Sequence, residues 1–248
     1  MIEVRDICKT FDGLKAIDHA TTKIMEGQIF GLVGSNGAGK STFLRMLSGV
    51  LKADAGEILI DGENVYENIE VKEKICFLSD VAYFPANATG KTMCDYYSIM
   101  YKDFNPSQFN KLAEKFQLDI YRKISTFSKG MQKQMSMLLG VCTNTKYLFC
   151  DETFDGLDPV MRQAVKSLFA SEVINRGFTP IIASHNLREL EDICDSIGLL
   201  HRGGILFTKD LENMKFHIHK VQCVITNPVM EERLLAELDI LYHEKQGS

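Results

Sequence analysis

The sequence of 248 residues has no segment that looks able to enter or cross a membrane. No uncharged apolar run approaches the roughly 18 residues that a transmembrane helix needs. Its first residues, Met1-Ile2-Glu3-Val4-Arg5-Asp6, contain no basic stretch followed by an apolar one, so we see no secretory signal. Any membrane role is therefore expected to come through a partner.

Paired cysteine motifs are also missing. The chain has seven cysteines, an odd number, and none forms a Cys-x-x-Cys pair. Several lie within apolar runs, as Cys150 does in Tyr147-Leu148-Phe149-Cys150. This pattern is typical of buried, reduced thiols in a cytosolic protein, and it argues against a disulfide framework.

An excess of basic charge is lacking as well. The formal net charge is -5, so no global basic field attracts nucleic acid, and we expect no nucleic-acid partner. Hydrophobic residues make up 45% of the chain and charged residues 25%, as in ordinary globular proteins. The length is sufficient to bury a substantial core.

Strands alternate with helices along most of the chain. Apolar runs bounded by turn residues predict strands at Ile2–Val4, Ala16–Ile24, Ile29–Val33, Ile58–Ile60, Ile75–Leu78, Tyr147–Cys150, Ile181–Ala183, Ile197–Leu200 and Ile205–Phe207. Helical periodicity predicts helices at Gly39–Ser48, Pro159–Ser171 and Leu187–Cys194. Such alternation favours an α/β fold with a mainly parallel sheet covered on both faces.

Two segments differ from this alternating pattern. From about Thr92 to Leu139 the sequence has helical patterns rich in Lys, Met and Phe, which indicates a helical insertion into the α/β core. After Asp210, a strand or two around Phe216–Ile225 and a helix around Glu231–Leu238 are predicted. We interpret this tail as a small appendage without a functional motif.

A glycine-rich loop follows the strand that ends at Val33. Its residues fit the pattern G-x-x-x-x-G-K-[ST] and open a helix: Gly34, Ser35, Asn36, Gly37, Ala38, Gly39, Lys40 and Ser41, with Thr42 next. Glycines let successive N–H groups point at phosphate oxygens, and the helix N-terminus adds positive potential. Lys40 is placed to reach the β- and γ-phosphates and Ser41 to bind Mg²⁺. The loop therefore predicts a nucleoside-triphosphate site.

Two acids end the apolar strand Tyr147–Cys150. Asp151 is placed to hold Mg²⁺ through water, and Glu152 is placed to polarise the water that attacks the γ-phosphate. Solvated acids at an ordinary strand end are the alternative. The phosphate loop elsewhere in the chain favours the catalytic interpretation.

The order of motifs resembles that of the nucleotide-binding domain of ATP-binding-cassette (ABC) proteins. Between the phosphate loop and the acidic pair lies Phe127-Ser128-Lys129-Gly130-Met131, similar to the Leu-Ser-x-Gly-Met signature of bacterial transporter ATPases. The resemblance covers roughly residues 2 to 208. It implies a P-loop NTPase core of RecA-like type, with an antiparallel β subdomain and an inserted α-helical subdomain. We expect an ATPase domain over 1–210 (core and β subdomain 1–85 and 144–210, helices about 86–143) and an appendage over 211–248.

The resemblance also assigns further site residues. It implies that Ser128 and Gly130 contact the γ-phosphate of ATP bound to the opposite subunit, and that Phe11 stacks on adenine. His185, after an apolar strand, matches the switch histidine that senses the γ-phosphate. Phe154-Asp155-Gly156-Leu157-Asp158 resembles the D-loop at the dimer interface, with Thr153 where many members have proline. Met131 has no polar side chain and is given no ligand role.

One residue departs from the family pattern. After Ile75-Cys76-Phe77-Leu78-Ser79 the family usually has Gln, whereas this chain has Asp80. An aspartate still offers a hard oxygen to Mg²⁺ or its water, but it is shorter and adds negative charge near the phosphates. We predict a site and metal-binding role for Asp80, and either its loop shifts inward or the coupling between ATP and the partner differs.

The resemblance implies an Mg²⁺-dependent ATPase that binds ATP between two chains arranged head to tail. The expected partners are transmembrane permease subunits and a second ATPase, identical or similar. The expected location is cytoplasmic, peripheral on the inner face of the plasma membrane. Two other functions stay open, namely a soluble ABC ATPase in protein or iron–sulphur assembly and a regulatory or sensor ABC ATPase. The signature type leans toward export by resemblance only.

Overall fold

A computed structural model describes residues 1–154, 157 and 159–211. The tail elements predicted at Phe216–Ile225 and Glu231–Leu238 lie outside the described residues, as do Asp155, Gly156 and Asp158 of the predicted D-loop. The described strands are β1 (Ile2–Phe11), β2 (Leu14–Ile24), β3 (Phe30–Val33), β4 (Ala55–Ile60), β5 (Glu63–Asn64), β6 (Ile75–Leu78), β7 (Tyr147–Asp151), β8 (Thr179–Ser184), β9 (Ser196–His201) and β10 (Gly204–Asp210). The described helices are α1 (Lys40–Leu47), α2 (Ile69–Lys72), α3 (Gly90–Met100), α4 (Pro106–Lys115), α5 (Lys129–Cys142), α6 (Pro159–Arg176) and α7 (Leu187–Ile193).

The central sheet has six strands in the order β10-β9-β3-β8-β7-β6. Its strands run parallel from β6 through β9, and β10 pairs with β9 in the antiparallel sense. Helices connect the parallel strands, since such strands cannot be joined by a tight turn. This arrangement confirms the predicted α/β fold with a mainly parallel sheet.

The two faces of the central sheet pack into different cores. Along β7, Tyr147 and Phe149 face the core shared with α1 and the β1–β2–β4 sheet. Leu148 and Cys150 face the core shared with α3, α4, α5 and α6. This alternation follows from the two-residue period of a strand, and burial on both faces explains why the strand is apolar throughout.

A second, antiparallel sheet has the order β2-β1-β4-β5. Strand β1 continues well beyond the predicted Ile2–Val4, because an irregularity at Asp6, with a φ of 52°, lets the pairing resume at Ile7. The hairpin between β1 and β2 turns at Asp12 and Gly13, as their sequence predicts. The predicted antiparallel subdomain is therefore present.

Helices α3, α4 and α5 occupy the chain between β6 and β7, where the helical insertion was predicted. Each helix is capped by the residue that precedes it, whose side chain accepts a backbone N–H of the first helical turn. These capping residues are Thr89, Asn105 and Ser128. Phe109 of α4 and Met135 of α5 are buried in the core that these helices share with the central sheet. Within the described residues, no helix is both long and apolar enough to cross a membrane.

Candidate nucleotide site

The predicted site residues follow the carboxyl ends of neighbouring parallel strands. In the sheet, β3 pairs with β8, β8 with β7 and β7 with β6. The phosphate loop follows β3, His185 follows β8, Glu152 follows β7, and Asp80 lies two residues beyond β6. Parallel strands end at one edge of their sheet, and such edges are where α/β proteins bind ligands. The topology thus brings the predicted residues together.

The phosphate loop turns through two glycines with positive φ, Gly37 at 80° and Gly39 at 103°. A Cβ atom on Gly39 would lie 2.4 Å from the carbonyl oxygen of Ala16, so this position excludes a side chain. Gly39 also accepts the hydrogen bond of Phe43 N–H and so begins α1. The loop residues Ser35, Asn36 and Gly37 are exposed, whereas Gly34 and Ala38 are buried. The tip of the loop is therefore accessible to solvent, and α1 begins directly after the loop.

Lys40 folds back beneath this loop. Its side chain is only 4% exposed, and its ammonium donates hydrogen bonds to the carbonyl oxygens of Gly34 at 2.9 Å and Ser35 at 3.2 Å. The Oε1 atom of Glu152 lies 3.3 Å from the same ammonium. A buried ammonium needs such partners, since an isolated charge is costly to bury. The cation is thereby held between the loop carbonyl groups and the Glu152 carboxylate.

Ser41 and Asp151 meet across the start of α1 and the end of β7. The Ser41 hydroxyl donates to Asp151 Oδ1 at 2.9 Å, and Asp151 is 2% exposed. Burial raises the pKa of the Asp151 carboxyl, the Ser41 hydrogen bond opposes that change, and the nearby charge of Glu152 adds to it. A buried carboxylate beside a hydroxyl is a set of hard oxygen donors that fits Mg²⁺.

Glu152 adopts a left-handed backbone conformation with a φ of 48°. Its N–H donates to the Ala183 carbonyl at 3.0 Å, which continues the β7–β8 pairing by one residue. This conformation turns the chain sharply away from β7 directly after Asp151. The side chain is 24% exposed, so its carboxylate reaches both Lys40 and solvent.

His185 directly follows the fully buried strand β8. Its Nδ1 lies 4.0 Å from Glu152 Oε1, and its side chain is 48% exposed. Ser184 beneath it accepts the N–H of Asn186, which in turn accepts the N–H of Arg188 at the start of α7. These bonds fix the turn from which His185 extends toward the acidic pair.

Asp80 has a partner that the sequence did not indicate. Its Oδ1 lies 3.2 Å from the ammonium of Lys133 in α5. The same ammonium donates to the backbone carbonyl of Glu152 at 2.8 Å. Lys133 was not predicted as a site residue. The sequence offered one signal for it, namely that a lysine could compensate the negative charge of Asp80.

The remaining predicted residues lie at three separate places. Phe11 ends β1, is 44% exposed, and lies under the Lys9 ammonium at 5.6 Å from its ring centre. Ser128 is exposed and accepts the Met131 N–H at 3.2 Å at the start of α5, whose first turn contains Gly130. Thr42 lies half-buried in the first turn of α1. The nucleotide-contacting roles of these residues stay predictions.

Comparison with known proteins identifies relatives of this chain. The family model described as "ABC transporter" matches residues 17–155. The chain is 32% identical over 229 residues to the ABC transporter ATP-binding protein YtrB of Bacillus subtilis (strain 168), covering 92% of this chain and 78% of the relative. It is 30% identical over 221 residues to the bacitracin transport ATP-binding protein BcrA of Bacillus licheniformis, covering 87% of this chain and 71% of the relative.

A solved structure shows the same fold. The chain matches a dimeric ATP-binding cassette in a post-hydrolysis state, bound to ADP and Pi, with a TM-score of 0.76 at 18% identity. The match covers 85% of this chain and 99% of the other. At this identity, the likeness concerns the fold alone.

Proposed function

Because this chain belongs to the ABC transporter family and is an ATP-binding, ATP-hydrolysing subunit, we propose that it is the Mg²⁺-dependent motor of a membrane transporter. One observation carries the proposal: Lys40 and Glu152, which follow different strands, have their charged groups 3.3 Å apart at one sheet edge. The buried Ser41–Asp151 pair lies at the same edge. This combination supplies a phosphate site, hard oxygen donors and a carboxylate base.

Phosphate binding falls to the loop and Lys40. The exposed backbone from Ser35 to Gly37 and the N-terminus of α1 favour an anion. The Lys40 ammonium, already bonded to oxygen atoms, gains phosphate oxygens as further partners in place of Glu152. We propose that this exchange releases the Glu152 carboxylate for its own role.

Ser41 and Asp151 would hold Mg²⁺, and Asp80 is a further candidate beside them. When bound, the ion neutralises phosphate charge and orients the phosphate oxygens. With the ion bound, the Ser41 hydroxyl would give up its hydrogen bond to Asp151 and offer its oxygen lone pairs instead. The 2% exposure of Asp151 keeps competing water away from its carboxylate.

Glu152 is the proposed general base and His185 its neighbour at the γ-phosphate. A carboxylate that is partly exposed has access to a water molecule, and it can accept a hydrogen bond from that water. The imidazole of His185, 4.0 Å from Glu152, is placed to contact a phosphate oxygen or the same water. These two side chains therefore orient water against the phosphate.

We infer that the complete site needs a second chain. Ser128 caps the N-terminus of α5 and is exposed, and Gly130 lies in the first turn of that helix, which suits an anion. In a head-to-tail dimer this turn contacts the ATP held by the other chain's Lys40. ATP then stabilises the closed dimer, because it binds that state better than the open one.

A groove beside the segment after β6 supports a permease partner. It has a volume of about 620 Å³ and is lined by aromatic and small residues that include Tyr83, Pro85, Met93, Tyr96 and Tyr97. Tyr83 is 84% exposed and Tyr96 is 54% exposed. Exposed aromatic side chains around a groove mark a protein contact. We propose that a cytoplasmic segment of a transmembrane subunit binds there, which places this chain on the inner face of the plasma membrane.

Hydrolysis of ATP by the purified chain tests the ATPase assignment directly. Phosphate release that requires Mg²⁺ and stops on EDTA addition is the expected result. A photo-crosslinker at Tyr83 in native membranes tests the partner, with the equally exposed Ile174 on α6 as the matched control position. A cross-link to a multi-span membrane protein from position 83 and not from position 174 supports the transporter. A cross-link from position 83 to a soluble assembly protein favours the alternative function.

A further inference from the structure

Lys133 joins two segments that follow different strands of the nucleotide site. It lies in α5, and its ammonium is 3.2 Å from Asp80 Oδ1, after β6, and 2.8 Å from the carbonyl oxygen of Glu152, after β7. The Lys133 side chain is 17% exposed and that of Asp80 is 52% exposed. Lys133 is therefore the more enclosed member of the pair, held by two acceptors of this same chain.

The contact with Glu152 acts on the backbone of the proposed base. The N–H of Glu152 donates a hydrogen bond to the carbonyl of Ala183, and the carbonyl of Glu152 accepts a hydrogen bond from the Lys133 ammonium. The residue is thus held on both sides in its left-handed conformation, with a φ of 48°. Because the backbone fixes where the side chain begins, Lys133 helps to place the carboxylate that faces Lys40.

The contact with Asp80 balances charge at the edge of the sheet. Asp80 brings a carboxylate to an edge that already has Asp151 and Glu152, and like charges in proximity destabilise one another. Lys133 supplies the compensating cation at 3.2 Å. The negative charge of Asp80 and the positive charge of Lys133 therefore form an ion pair.

We propose that Lys133 is a positioning residue for ATP hydrolysis, which orients Glu152 through its backbone carbonyl and compensates the charge of Asp80. The inference rests on the proposed function of Glu152 and Asp80 at the nucleotide site. It also gives α5, whose N-terminus is the proposed contact with the other subunit's ATP, a direct bond to the hydrolytic segment of its own chain. Movement of α5 would therefore change the position of Glu152.

The test combines substitutions of both partners. Lys133→Met removes the cation while keeping an unbranched side chain, and it is expected to lower kcat about tenfold or more. The affinity for a fluorescent ATP analogue, measured in the Glu152→Gln background, should change by less than about threefold, because the two acceptors of the Lys133 ammonium, Asp80 and Glu152, lie outside the phosphate loop. Lys133→Arg keeps donors for both acceptors and should retain at least about half of kcat.

Rescue separates charge compensation from a general structural effect. Asp80→Gln removes the carboxylate, and in the Lys133→Met background it should restore kcat at least about fivefold, the size expected for two residues in contact. Lys111→Met, at an exposed lysine of α4, is the matched control and should leave kcat unchanged. If Lys133→Met fails to fold, Lys133→Gln replaces it in the single and the double variant, because glutamine also lacks the positive charge.

Two results would overturn the proposal. One is a kcat of Lys133→Met equal to that of the wild type, and the other is a double variant whose loss is the product of the single losses. Wild-type hydrolysis that is abolished in Lys40→Ala establishes the ATPase separately. A failure of the Lys133 proposal is therefore distinguishable from a failure of the proposed function.

Discussion

The ammonium of Lys40 lies 3.3 Å from a carboxylate oxygen of Glu152, between loops that follow two different strands of the sheet. The two side chains contribute opposite charges to one site, yet their proposed roles are separate. Lys40 binds phosphate and Glu152 acts on water. In the proposed function, a phosphate that binds the Lys40 ammonium would leave the Glu152 carboxylate without its cation, so that nucleotide binding would prepare the base.

Replacement of Lys40 by alanine is expected to weaken ATP binding about ten- to a hundredfold. The range corresponds to the loss of about 1.5–3 kcal/mol, typical of hydrogen bonds to a charged group. Isothermal titration with ATP and Mg²⁺ measures the effect. The control is Lys111→Ala, at an exposed lysine on α4. An unchanged affinity in the Lys40 variant would contradict the phosphate-loop assignment.

Replacement of Glu152 by glutamine is expected to lower turnover by about 10²–10⁴-fold while ATP binding is kept, since an amide cannot accept the proton of water. With hydrolysis blocked, Mg-ATP should convert the protein from monomer to dimer, which the mass in solution reveals. Near-normal turnover would remove Glu152 from the role of base.

The same mass measurement separates the possible dimers. A monomer of Glu152→Gln that binds ATP without dimerising would indicate either that the working partner is a second, similar ATPase or that dimerisation needs the membrane subunits. Adding Lys40→Ala to this variant is the control, because it should abolish any ATP-dependent dimer.

Replacement of Asp151 by asparagine should stabilise the nucleotide-free protein while impairing Mg-ATP hydrolysis. Burial holds the pKa of Asp151 above its ordinary value, so the folded state favours the neutral carboxyl and ionisation opposes folding. In EDTA near pH 7 the variant should therefore melt at a higher temperature than the wild type.

The difference in melting temperature between Asp151→Asn and the wild type should depend on pH. Stability from the neutral Asp151 is fully present below its unfolded pKa and is lost as the pH rises through the raised folded pKa. The melting difference between variant and wild type should therefore shrink on acidification. A difference that grows as the pH falls would contradict the buried, metal-binding interpretation.

Replacement of Gly39 by alanine should destabilise the protein more than the same change at Gly13. Both glycines have positive φ, 103° and 82°, so both variants incur the left-handed cost of about 1 kcal/mol. Only Gly39→Ala would also place a Cβ atom 2.4 Å from the carbonyl oxygen of Ala16, whereas a Cβ atom at position 13 would have no neighbouring atom within 4 Å among the described residues. Thermal unfolding in EDTA compares the two variants. Equal losses would show that the loop yields to the side chain.

Much of the central sheet could be predicted from local sequence. The strand Ile75–Leu78 has the predicted bounds, and helix α1 differs by one residue at each end, because apolar runs between turn residues are strong signals. Strand β5, Glu63–Asn64, was not predicted, since two polar residues have no apolar pattern and pair only because β4 lies beside them. Propensity cannot anticipate such a dependence on a neighbouring strand.

The candidate site residues were predicted from motif order, and the parallel topology places the strand ends that they follow at one edge of the sheet. Lys133 could not be predicted in this way. Its contacts with Asp80 and Glu152 depend on how α5 packs against the sheet, which no local pattern specifies. The opposite charges of Lys133 and Asp80 are compatible with a contact, but charge alone does not identify which of many acids and bases are neighbours.

Replacement of Phe11 by alanine should weaken ATP binding about five- to a hundredfold, the range for loss of about 1–3 kcal/mol of stacking on a base. The Phe11 ring is 44% exposed at the end of β1, with the Lys9 ammonium 5.6 Å from its centre. Phe11→Tyr keeps an aromatic face and should retain the affinity. Inorganic tripolyphosphate has no base, so its affinity should be the same in all three proteins. An equal loss for ATP and tripolyphosphate in Phe11→Ala would mean that the ring supports the phosphate loop rather than adenine.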